Sequence, residues 1–118
     1  MKTVNVLGKE YSIEIHKYDD DKQLSEHSWV GYCCSDVPII VIADLDDEDH
    51  FSFQNDTDMD NYFKSTLRHE IVHAFLNESG LQDNFEHVRR MGHEETMVDW
   101  IAIQFPKLLR AFQEVGAM

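Results

Sequence analysis

Apolar and polar residues alternate in two short runs at the start of the chain, "TVNVL" (3–7) and "YSIEIHK" (11–17). A period of two sends one set of side chains to a covered face and the other to water, so each run reads as a strand. The intervening "GKE" begins with a glycine, and the pair is expected to form a β-hairpin. The polar stretch "YDDDKQLSEHS" has room for a short helix. Then "WVGYCC" (29–34) and "IIVIAD" (39–44) flank "SDVP", a turn with Pro38 at its far edge, which predicts a second hairpin. "IIVIA" is apolar throughout and rich in β-branched residues, as a well-covered strand should be.

Past residue 55 the apolar period lengthens to that of a helix. Phe63, Leu67, Ile71 and then Ala74 or Phe75 form one stripe, which predicts a helix from about Met59 to Ser79. Thr57 or Asp58 is expected to cap it, with acidic charge favoured by the helix dipole. Gly80 suits a left-handed stop, with Leu81 packing back on Leu76. A second helix is expected from about Glu94, with Met97, Val98, Ile101, Ala102 and Phe105 as its apolar face. Pro106 should kink or end it, leaving "KLLRAFQEV" as a further short helix. The predicted class is α+β: a small, mostly antiparallel sheet of about four strands, with the first long helix packed on it and the second beside that. A single domain over residues 1–118 is expected.

Composition adds limits. With 23 acidic and 10 basic residues the formal charge is −13, which disfavours nucleic acid and anionic membranes as partners. The N-terminal run alternates and has no continuous apolar stretch, so no signal peptide is expected, no stretch approaches a membrane span, and a cytoplasmic location is expected. Cys33 and Cys34 are adjacent, so they are expected as reduced thiols on opposite faces of a strand. Asp56-x-Asp58-x-Asp60 begins like a calcium loop, but Asn61 replaces the required glycine and Leu67 the bidentate glutamate. Trp29 and Trp100 are expected in the core. His16, His27 and His50 are expected to be solvated, without metal-ligand spacing.

The chemistry concentrates in "STLRHEIVHAFLNESG" (65–80). His69 and His73, four residues apart, lie about 40° apart around a helix axis and one turn along it. Two imidazoles so placed can grip one metal ion from the same side. Glu70 is then placed to take a proton from a water that a zinc ion acidifies. Leu67, Ile71, Val72, Ala74 and Phe75 surround this polar trio, and burying it is costly unless something pairs it. A third ligand is required. Leu76 and Ser79 exclude the continuation in which glycine and histidine follow the motif. Glu95 and Asp99, at i and i+4 on the second helix, are the better candidates: Glu95 as ligand, Asp99 as acceptor of a ring N–H from His69 or His73. Glu94 points about 100° away from Glu95, so the two cannot both serve.

A His-Glu-x-x-His helix followed by a Glu-x-x-x-Asp helix resembles the gluzincin arrangement. "EETMVDWIAIQFP" is also similar to a segment of the ImmA/IrrE-type metallopeptidases, with Ile101 in place of that pattern's phenylalanine. The chain as a whole most resembles the small zincin-like proteins of phages and prophages, through "LRHEIVHAFLNESGL" and "EETMVDWIAIQFPK". That resemblance implies zinc held by His69, His73 and Glu95, with Glu70 as general base, and a protein or peptide substrate. It would place the protein in the host cytoplasm if phage-encoded. "LRHEIVHAF" also resembles the motif helix of SprT-type proteases, whose third ligand is a downstream histidine, here His87 or His93. The oxyanion-stabilising group stays open among Tyr62, His87, Arg89, Arg90 and His93. By analogy with zincins, an extended substrate would add to an edge strand beside the motif helix, for which "WVGYCC" is the candidate. The competing reading is a non-enzymatic acidic interaction protein, with zinc only structural or the acidic surface mimicking DNA.

Overall fold

A computed structural model describes residues 2–80 and 95–114. The order is β1 (Lys2–Val6), β2 (Lys9–His16), a 3-10 turn (Tyr18–Asp20), α1 (Lys22–His27), β3 (Gly31–Cys34), β4 (Ile39–Ala43), α2 (Asp56–Glu78) and α3 (Glu95–Glu114). The class is α+β, and the four strands form one sheet in the order β1-β2-β4-β3.

Both expected hairpins form. β1 pairs antiparallel with β2, and β3 antiparallel with β4. Between them, β2 and β4 run parallel, Ser12 opposite Ile39 and His16 opposite Ala43. The sheet is therefore mixed, with its one parallel pairing at the centre. A strand apolar at every position belongs where both faces are covered, and β4 takes that place. Ile40 and Ile42 join Val6, Tyr11 and Ala74 in the core under α2. Val41 and Ala43 pack with Leu24 on the opposite face.

The strand ends differ from the expected ones for local reasons. Leu7 leaves β1 because the two-residue turn needs positive φ at both positions, 52° at Leu7 and 95° at Gly8. Gly31 opens β3 because a Cβ there would lie 2.9 Å from the Val41 carbonyl oxygen and 3.3 Å from Thr66 Cγ2. A bare α-carbon lets this edge strand approach α2 closely. Cys33 packs into the core under α2, and both cysteines are free thiols.

α2 starts three residues earlier than expected. Its cap is Asn55, neither Thr57 nor Asp58, and the Asn55 side-chain oxygen accepts from the Asp58 amide at 2.8 Å. Phe63, Leu67, Ile71 and Ala74 form the stripe on the sheet, while Phe75 faces outward. Gly80 carries φ 89° beyond the last turn, as a left-handed stop requires. Leu81 lies outside the described residues.

Pro106 neither ends nor divides the second helix, and α3 runs unbroken through it to Glu114. The carbonyl that loses its partner, four residues back at Ala102, accepts a hydrogen bond from Arg68 Nε of α2 at 3.2 Å. Val98 and Ala102 are buried against α2, whereas Phe105 is half exposed.

Neither tryptophan is a core residue. Trp29 is 43% and Trp100 56% exposed, and Trp29 stacks on His27 with centroids 4.2 Å apart. His16 is likewise not simply solvated. It lies between Asp21 at 2.6 Å and Glu14 at 2.9 Å. Asp21 also accepts from Tyr32 and from two backbone amides at the start of α1. His50 sits beside Asp19 and Asp47, their donor atoms close enough to share an ion, but on an open surface. Among the described residues no helix is long and apolar enough to cross a membrane.

Candidate metal centre

α2 carries His69 and His73 one turn apart, and α3 packs against α2. Glu95, in the first turn of α3, meets both imidazoles. Its two oxygens lie 3.3 Å from His69 Nε2 and 3.2 Å from His73 Nε2. The two Nε2 atoms are 3.2 Å apart. Donors about 2.0–2.1 Å from a tetrahedral zinc ion are about 3.3 Å from one another. The observed spacings, in which each imidazole meets a different oxygen of Glu95, are close to that edge length, and the donor set of two imidazoles and a carboxylate is one zinc favours. The residues fit the ion that the sequence implied.

The tautomer fits as well. His69 Nδ1 lies 2.7 Å from Asp99 Oδ1, and a carboxylate can only accept, so Nδ1 carries the proton. Nε2 of His69 then keeps its lone pair for the shared point. Of the two histidines open to Asp99, it is His69 that receives it. Burial, together with the neighbouring His69, lowers the His73 pKa to about 4, so this ring is neutral near pH 7.

Glu70 is only 6% exposed and forms no hydrogen bond among the described residues. Burial first, and then the negative charge of Glu95, raise its pKa to about 8. A cation shared by the three donors would act against both influences and favour the carboxylate. An unpaired acid nine-tenths buried is costly for a purely structural helix. It borders a cleft of about 340 Å³ that also reaches His69, Asp99, Trp29, Tyr62 and Ile103. The Glu95 side chain is 64% exposed, so the donors open to solvent on the α3 side.

The cleft passes Gly31, the first residue of β3, and the segment just before it; β3 is an edge strand of the sheet. Trp29 and Ile103 were not anticipated there. Their exposure depends on the gap between β3 and α3, which no local pattern encodes. Of the groups considered for stabilising an oxyanion, Tyr62 borders the cleft; His87, Arg89, Arg90 and His93 lie outside the described residues, as does Glu94. The His87 and His93 alternatives for third ligand fall there too, while Glu95 occupies the third position. No family model, curated protein or solved structure matches the chain.

Proposed function

We propose that the chain is a zinc-dependent peptidase of the zincin type, with His69, His73 and Glu95 as metal ligands and Glu70 as general base. The observation that carries this reading is the convergence of two imidazoles and a carboxylate beside a buried glutamate that has no hydrogen bond among the described residues. When bound, zinc supplies Lewis acidity, polarising a substrate carbonyl and making water easier to deprotonate.

Glu70 accepts the proton of the attacking water and returns it to the amine as the C–N bond breaks. Asp99 holds the His69 ring in the ligating tautomer and fixes its plane. The open edge of β3 offers main-chain donors and acceptors to an extended segment lying in the cleft. Trp29, Tyr62 and Ile103 provide apolar surface for its side chains. The substrate is then a protein or peptide, hydrolysed within an extended stretch.

The test is metal content after chelator treatment and reloading, followed by cleavage of an unbiased peptide mixture read by mass spectrometry. Wild type should hold one zinc per chain. Glu70→Gln should keep the zinc and lose cleavage, and Glu95→Ala should lose the zinc. Zinc retained by Glu95→Ala would remove Glu95 from the ligand set. Zinc binding with no difference between wild type and Glu70→Gln on any peptide would leave a structural site. Absence of zinc from reloaded wild type would move the acidic interaction protein into first place.

A further inference from the structure

A proline within a helix leaves the carbonyl four residues earlier without its amide partner. In α3 that carbonyl is Ala102, 2% exposed and so shut off from solvent. A buried carbonyl without a partner is costly, and it accepts along a defined direction. The donor it receives is Arg68 Nε, 3.2 Å away on α2. The chain contains 23 acidic residues, yet among the described residues Arg68 forms no ion pair. Its Nε donates to a neutral carbonyl.

The placement of both ends matters. Arg68 directly precedes His69. Ala102 follows Glu95 and Asp99 at i+7 and i+3, so the three share one face of α3. This bond therefore ties the α2 residue next to a ligand to the α3 face that presents another. Apolar packing through Val98 and Ala102 fixes the distance between the helices but is permissive about sliding. A slip of one turn would displace Glu95 by about 5.4 Å, far from its present 3.2–3.3 Å from the imidazoles.

We propose that Arg68 is a positioning residue: by filling the carbonyl vacated by Pro106 it sets the register of α3 on α2, and so places Glu95 on His69 and His73. The proposal rests on the metal reading above. It also gives Pro106 a purpose. Any other residue at 106 would supply an amide to Ala102 within the helix, and the carbonyl would no longer depend on Arg68 for its partner.

The test is a double-mutant cycle with Arg68→Met, Pro106→Ala and the two combined, with Arg68→Lys as the conservative variant. Zinc affinity is measured by competition with a chromogenic chelator. The visible spectrum of the cobalt-loaded protein and the thermal midpoint of the metal-free protein are recorded in parallel. Arg68→Met should weaken zinc binding about tenfold and alter the cobalt bands. With Pro106→Ala present, the same change should cost no more than about twofold, since residue 106 then donates to Ala102. Arg68→Lys retains a donor and should keep most of the affinity. Equal losses of affinity in the two backgrounds would overturn the proposal. So would a lower thermal midpoint with zinc affinity and cobalt spectrum unchanged, which would make Arg68 merely structural. Wild type that binds no zinc would overturn the metal reading and the positioning role together, and that outcome is recognised before any variant is made.

Discussion

His16 shows how single residues set this protein's response to pH. The hydrogen bond to Glu14 is the strongest influence on its pKa; with Asp21 it outweighs burial and holds the imidazolium above the usual histidine range. For Asp21 burial is the largest influence and acts upward, but bonds from His16, Tyr32 and the Leu24 and Gln23 amides together hold the carboxyl below its ordinary value. The signs follow by linkage. Raised histidine stabilises the fold fully below about pH 6.5, its unfolded value, and that contribution is lost as pH rises through the folded value. The depressed aspartate contributes above about pH 4 and loses that contribution as pH falls through its folded value. The difference in thermal midpoint between wild type and His16→Gln should therefore be largest at about pH 5–6 and shrink above neutrality. A difference that grew with pH would contradict the network. This cluster was not legible in the sequence, because its members come from β2, β3 and the cap of α1. His69 and His73 were legible, since four residues along one helix fix their relation without help from the rest of the chain. Asp99 was legible as a partner, but its choice of His69 depends on how α3 lies against α2.

Among the elements, α2 bears the most on the site, and its start is set by one side chain. Asn55 satisfies an amide that the first turn would otherwise leave unpaired. Asn55→Ala should cost about 1 kcal/mol in urea unfolding, whereas Asp58→Ala, which removes no cap, should cost less. Equal losses would return the cap to the position that the sequence suggested. The stripe of α2 was readable because the apolar period is regular from Phe63 to Ala74, but the cap was not. Asn, Asp and Thr are all good caps, and residues 55–58 offer four of them in a row. α3 does not end at Pro106, one of the two outcomes expected there, for a more general reason. Propensity describes a helix alone, and the missing hydrogen bond is supplied from another helix. The tryptophans teach the same lesson: an aromatic is buried only where something lies over it.

At the scale of the molecule, the two hairpins were evident from alternation and turn residues, but the way they join was not. Period-two patterns show which faces are covered and leave open which strand lies beside which. The parallel pairing of β2 with β4 has a consequence for how the chain folds. Each hairpin closes a short loop, whereas joining them must bring Ser12 against Ile39 across everything between. That union is the slow step expected of non-local strand pairing, and α2 has no complete surface to dock on until it is made. Stopped-flow chevrons should place Ile40→Val mainly on the refolding arm and Ile71→Val mainly on the unfolding arm. The reverse assignment would make helix docking the earlier event. On that order Glu95 reaches His69 and His73 only as the chain completes its fold, so capture of an ion by this set would be the last event of folding and not its nucleus.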